Sequence, residues 1–273
     1  MTTPPRILTI AGSDSSGGAG IQADIKTITM LGGYAMSAIT AVTAQNTLSV
    51  LAVEILSPGL VAAQIDACIN DIGVDAIKIG MLGSAEVAAV VADRLERIGV
   101  PVVFDPVMIA TSGSALADAG TVASFERLME IATLTTPNLP ELKALGGEEL
   151  VRGKASGLLI KGGHAEGAVI EDRLFIAGGE HSFWSDRIDT VHTHGTGCTL
   201  ASAIATGLGA GLPIEVAVDR AIRFVGAVLA SAPGYGKGHG PMGHTLGRVP
   251  FYEALAAMEM SGFDAATLDA QWR

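Results

Sequence analysis

The chain has 273 residues, of which 49% are hydrophobic, 16% charged and 4% aromatic, with a net charge of −11. That composition excludes a disordered chain, and an acidic surface without a basic stripe excludes nucleic acid as the expected partner. Two cysteines, Cys68 and Cys198, are too few for a disulfide framework and point to a reducing, cytoplasmic setting. The first six residues have no apolar stretch of the secretory kind, and no charge-free run is apolar enough to predict a membrane span.

In chain order, residues 7–11 read as a buried strand, followed by Gly12-Ser13-Asp14-Ser15-Ser16-Gly17-Gly18-Ala19-Gly20, read throughout as a loop. Ile21, Ile25 and Ile28 then share a helix face that Gly32-Gly33 ends. Residues 38–42 and 50–55 are apolar strands, and Ser57-Pro58 supplies a cap and first-turn proline for a helix to about residue 69. Next come a strand at 76–79, a helix carrying Val87, Val90, Val91, Leu95 and Ile98, and a strand at 102–104 ending at Asp105-Pro106. A helix at 118–131 precedes strands at 134–136 and 158–160, with a short helical stretch between those two. Alternating strands and helices predict right-handed βαβ units, hence an α/β protein with a mainly parallel central sheet. Beyond Lys161, residues 169–176 and 181–184 form a predicted hairpin, followed by helices at 198–208 and 214–229. The glycine-rich stretch 234–243 leads to a last helix expected near 251–258. No linker divides the chain, so a single domain is expected, with a motif-bearing part at 7–244 and a tail at 245–273.

Ligands bind at the carboxyl ends of strands in an open parallel sheet. Gly12 to Gly20, Gln45-Asn46, Lys78-Ile79-Gly80-Met81, Asp105-Pro106, residues 136–141 and Lys161-Gly162-Gly163-His164 all fall at such ends. Any one of them is an ordinary turn; together they should line one edge of one sheet. His194-Gly195-Thr196-Gly197-Cys198-Thr199 opens an alanine-rich helix, where successive N–H groups can point at one anion. Cys198 lies in that first turn, where the helix dipole is expected to lower its pKa and let it act as a base. Asp105 and Glu141 follow strands, as Mg²⁺ ligands would. Cys68 reads as core. The histidines lack metal-ligand spacing, and a Walker A sequence is absent, so any ATP must meet another phosphate cradle.

The segments Ile10 to Thr27, Thr43-Ala44-Gln45-Asn46-Thr47, Lys78-Ile79-Gly80-Met81-Leu82, Asp105-Pro106-Val107-Met108, Thr136-Pro137-Asn138-Leu139-Pro140-Glu141, Lys161-Gly162-Gly163-His164, His194 to Leu200 and Gly238-His239-Gly240-Pro241 occur in one order. In that order they resemble the hydroxymethylpyrimidine/phosphomethylpyrimidine kinases. The resemblance implies a ribokinase-like three-layer αβα sandwich, usually dimeric, that moves the ATP γ-phosphoryl group to 4-amino-5-hydroxymethyl-2-methylpyrimidine and then to its monophosphate, for thiamine biosynthesis. It places Asp24 and Gln45 at the polar edge of the pyrimidine, with Gly12, Met81 and Val107 around it. It makes Gly195, Thr196, Gly197 and Cys198 the anion hole, with Cys198 as base. Asn138, Glu141 and Lys161 fall on the Mg-ATP side with Asp105, and Lys237 is placed within reach of the phosphates. The chain is shorter than the family pattern between Glu141 and Lys161, and His192 and Gly243 stand where asparagine is common. A pyridoxal kinase is the nearest competing reading, and a non-catalytic pyrimidine or vitamin sensor is the competitor from another class.

Overall fold

The computed structural model describes residues 3–109, 113 and 116–244. The helix expected near 251–258 lies outside these residues. Nine strands form one sheet: β1 (Arg6–Asp14), β2 (Tyr34–Gln45), β3 (Val50–Ile55), β4 (Ala76–Ile79), β5 (Val102–Phe104), β6 (Leu134–Thr135), β7 (Leu158–Ile160), β8 (Val169–Ile176) and β9 (Gly179–Asp186). Their order is β3-β2-β1-β4-β5-β6-β7-β8-β9. The six from β2 to β7 run parallel, while β3 at one edge and the β8–β9 hairpin at the other are antiparallel.

Side-chain alternation along the strands divides the core into two layers. Leu8, Ile10, Ile77, Ile79, Val102 and Phe104 face one side, against α2 (Pro58–Ala67), α3 (Ala85–Leu95) and α4 (Ala119–Ile131). The short helices α5 (Leu139–Ala144) and α6 (Glu148–Lys154) add Leu142, Leu145 and Val151 to that layer. Ile7, Ala76, Val103, Leu134 and Leu159 face the other side, against α1 (Gly20–Met30), α7 (Thr196–Gly209) and α8 (Ile214–Ala230). Alanines Ala201, Ala203 and Ala205 let α7 lie close to the sheet. These three layers are the expected αβα sandwich.

Helix starts follow local chemistry. Ser57 caps α2, Ser84 caps α3 and Asp118 caps α4, each accepting a backbone N–H through its side chain. Two expectations change. Gly12, Ser13 and Asp14 belong to β1 rather than to a loop, because Ser13 and Asp14 pair with Val42 and Thr43 of β2. β2 itself is longer than expected, since its outer residues alternate between buried and exposed. No helix among the described residues is long and apolar enough to cross a membrane.

Candidate active site

β1 is flanked by β2 and β4, and the chain order reverses there, which opens a crevice at the strands' carboxyl ends. A cavity of about 720 Å³ occupies it, reaching from Gly12 and Gln45 at one end to Asn138 and Lys161 at the other.

The end at Asn138 and Lys161 is built from three successive strand exits and one helix start. Lys161, just after β7, places Nζ 2.7 Å from Asp105 Oδ1 and 3.7 Å from Glu141 Oε2. Burial works against the ammonium, but Asp105 and Glu141 outweigh it and push Lys161 up to about 12. Burial raises the Glu141 carboxyl, with Lys161 pulling it back. Thr136 donates to Asp105 Oδ1 at 3.2 Å. Asn138 and Glu141 form a capping box at the start of α5, two reciprocal bonds of 2.8 Å. Asn138 therefore meets the cavity with its side-chain oxygen already engaged.

The helix start is α7. Gly195 caps it at φ +86, a left-handed conformation that suits glycine. A methyl group at Gly197 would lie 3.3 Å from both Asp105 Oδ2 and Lys161 Nζ, so the helix N-terminus, the carboxylate and the ammonium converge on one point. The first turn presents the N–H groups of Gly197 and Cys198, which have no partner within the helix. Cys198 is half-buried beside them. Its pKa is not lowered as expected. Burial pushes the thiol up to about 11, with Asp24 and Asp105 adding to the rise and the Lys78 and Lys161 ammonium groups and the Gly20 N–H opposing it. Desolvation outweighs the helix dipole here.

Asp105 Oδ2 and Glu141 Oε1 accept no hydrogen bond among the described residues. Two carboxylate oxygens left open on a cavity suit Mg²⁺, which takes few protein ligands and completes its shell with water and phosphate oxygens. No group of three or more His, Cys, Asp or Glu side chains converges as metal ligands among the described residues.

At the other end, Gly12, Gln45, Met81 and Val107 line the cavity. A methyl group at Gly12 would stand 3.0 Å from Met81 Sδ, so glycine lets that thioether form the wall. Thr40 fixes the Met81 carbonyl at 2.6 Å. Asp24, expected here, is elsewhere. It is fully buried, does not line the cavity, and holds Lys78 Nζ at 2.8 Å, with Thr9 and Ser202 also donating to it. Thr9 and Lys78 are register partners on β1 and β4, so the fold brings Thr9, Lys78 and Ser202 together around this carboxylate. Lys237 is exposed and does not line the cavity; its backbone N–H bonds Thr47 Oγ1 at 3.2 Å.

Asp14 and His194 also line the cavity, and no site role was expected of either. Asp14 Oδ2 accepts from His194 Nε2 at 2.8 Å, and the carboxylate also receives Ser16, Gly18 and Ala19 N–H groups. Burial opposes the Asp14 charge, yet these donors outweigh it and hold the group down at about 2. Nothing local in sequence pairs residues 14 and 194.

A family profile described as phosphomethylpyrimidine kinase matches residues 14–243. The chain belongs to the phosphomethylpyrimidine kinase family. It is 45% identical over 254 residues to the hydroxymethylpyrimidine/phosphomethylpyrimidine kinase of Rhizobium meliloti, covering 87% of this chain and 96% of that one. It is 48% identical over 255 residues to the thiamine biosynthesis bifunctional protein ThiED of Geobacter sulfurreducens, covering 88% of this chain but spanning only about half, 52%, of that longer protein. Among solved structures, the phosphomethylpyrimidine kinase of Clostridium difficile aligns with TM-score 0.72 and 37% identity over 82% of this chain and 98% of that one. An ADP complex of Bacillus subtilis pyridoxal kinase aligns with TM-score 0.82 and 30% identity over 89% and 98%. The family's ribokinase-like α/β fold is the fold observed.

Proposed function

We propose that this kinase transfers the γ-phosphoryl group of ATP to the hydroxymethyl group of 4-amino-5-hydroxymethyl-2-methylpyrimidine, and then phosphorylates the monophosphate to the diphosphate. The observation that carries the reading is the convergence at Gly197, where a helix N-terminus, Asp105 and Lys161 meet within one cavity that ends at Gln45 and Met81. Phosphoryl transfer needs alignment and charge neutralisation more than covalent chemistry, and that point supplies both. The N–H groups of Gly197 and Cys198 stabilise the transferring group's oxygens from one side, and Lys161 balances them from the other. Asp105 and Glu141 would hold Mg²⁺, which supplies charge neutralisation at the phosphates when bound. Gln45 meets the polar edge of the ring, while Gly12, Met81 and Val107 enclose it.

Cys198 accepts the hydroxymethyl proton in this reading. Its raised pKa leaves little thiolate at neutral pH, and only that fraction can take the proton as the transfer makes the oxygen acidic. The Lys78 ammonium beneath it favours that ionised state. A homodimer belongs to the same reading, supported by the exposed apolar Leu51, Val53 and Ile55 of the edge strand β3. Sedimentation of the purified protein tests it.

The pyridoxal kinase likeness favours one second reading, phosphorylation of pyridoxal, whose ring also carries a hydroxymethyl. A non-catalytic sensor would have no use for Lys161 held between two carboxylates. The deciding experiment measures ADP release with Mg-ATP and either ring, with products identified by mass. Preferential formation of pyrimidine mono- and diphosphate supports the main reading. Preferential pyridoxal phosphate, or binding without ADP release, overturns it.

A further inference from the structure

Residues 161–168 join β7 to β8, and Lys161, Gly163 and His164 of that segment line the cavity. From Gly163 to Ala168 every residue is exposed, so no apolar burial fixes its course. Gly162, Gly163 and Gly167 add backbone freedom. Its order therefore rests on hydrogen bonds, and Arg187 supplies four of them. Arg187 Nη1 donates to the Gly163 carbonyl oxygen at 2.9 Å, Nη2 to that of Ala165 at 2.6 Å and Nε to that of Gly167 at 2.7 Å. Its backbone N–H donates to the Ala168 carbonyl oxygen at 2.8 Å. A guanidinium spreads its donors in a rigid planar fork, so one side chain can meet three separate carbonyls. An ammonium carries the same charge on a single nitrogen and cannot span them. Asp172 of β8 holds the start of the segment by accepting the Gly162 N–H at 2.7 Å. Arg187 directly follows β9, so the β8–β9 hairpin fixes the segment from Gly162 to Ala168.

We propose that Arg187 is a positioning residue for the nucleotide: its guanidinium holds residues 163–167 as the cavity wall beside Lys161, and nucleotide affinity depends on the shape of that fork rather than on its charge. This rests on the reading that ATP occupies the Lys161 end. A wall already in place costs a ligand nothing to order. A released segment is competent for only a fraction of the time, and it weakens binding by that fraction. The end at Gln45 and Met81 is built by other strand exits and makes no use of the segment.

Exchange of backbone amides, followed by mass spectrometry on the full chain without ligand, reads the clamp directly. In Arg187→Met and Arg187→Lys the peptide covering residues 162–168 should exchange faster, while the central strands keep their protection. Calorimetric titration reads the consequence. Kd for Mg-ADP should rise about tenfold in both variants, as for a segment ordered about a tenth of the time, and Kd for the aminopyrimidine should stay near that of the wild type. Wild-type ADP affinity in Arg187→Lys alone would mean a charge contact with the phosphates and would overturn the positioning role. So would unchanged exchange at 162–168 in both variants, or faster exchange with ADP affinity unchanged. Equal weakening of ADP and ring binding, with a lower melting temperature, would assign Arg187 to general stability and overturn it too. A wild-type chain that binds no Mg-ADP would sink the ATP reading and the nucleotide role with it, while the exchange would still show whether Arg187 holds the segment.

Discussion

Asp24 gives the sharpest test of what the structure adds. The family resemblance implies a substrate ligand, whereas the structure buries it completely against Lys78, with Thr9 and Ser202 completing its bonds. Asp24→Asn and Lys78→Met each leave one charge in the interior without its partner, and breaking a buried pair this way costs about 3–5 kcal/mol. That is a large share of the roughly 5–15 kcal/mol that holds a domain together. For a chain of this size each kcal/mol shifts Tm by roughly 2–4 °C, so either variant should melt roughly 6–20 °C lower. The double variant removes both charges and should lose less than the sum of the singles, because the two residues share one interaction. Urea unfolding followed by circular dichroism measures the loss, and calorimetric titration with the aminopyrimidine measures binding well below the melting temperature. Asp24→Asn should unfold more easily and still bind the ring with affinity little changed. Lost binding at an unchanged unfolding midpoint would refute the reasoning and return Asp24 to the substrate.

The Cys198 thiol, raised to about 11, stays protonated at neutral pH, and higher pH yields more thiolate. If that thiolate takes the substrate proton, kcat should rise between about pH 7 and pH 10, and Cys198→Ala should remove the slope along with most of the turnover; a wild-type profile as flat as the variant's excludes Cys198 as base. Gly195→Ala forces a side chain into a left-handed conformation and drives its methyl onto the Gly18 carbonyl oxygen. By displacing the helix start it should cost about 10²–10³ in kcat, the range seen when one such donor is lost, with stopped ADP release as the readout. Asp14, held down at about 2 against an ordinary 3.8, contributes stability that is present above its unfolded pKa and lost as pH falls from about 4 toward 2. Acid unfolding of Asp14→Asn should show a shallower dependence in that window, and an identical curve would mean that the carboxylate's bonds do not hold the loop.

The strand exits were legible where a charged residue directly follows a short apolar run. Asp105 follows Val102–Phe104, and Lys161 follows Leu158–Ile160. Parallel packing then brings their ends to one edge, and Lys161 reaches Asp105 across 56 positions of sequence. The chemistry between those ends was harder to read. Gly-Ser-Asp has loop chemistry, yet register with β2 extends β1 through it. At Cys198 the helix start was legible and its dipole points the right way, but burial depends on what packs above the helix, and no local pattern states that. Lys78 did leave a signal, a lysine inside an apolar strand, although its partner lies 54 residues earlier.

That pair also explains how the two halves of the site are held together. Ser202 donates to Asp24 Oδ1 at 2.7 Å and sits one helical turn beyond Cys198 on α7, while Asp24 belongs to α1 and Lys78 to β4. One buried carboxylate thus ties α7 to α1, the helix that follows β1, and both to the sheet. A phosphoryl transfer that depends on alignment needs such a tie. If the proposed transfer is right, Asp24 acts on it through rigidity rather than by contact, since its carboxylate is spent on Lys78, Thr9 and Ser202.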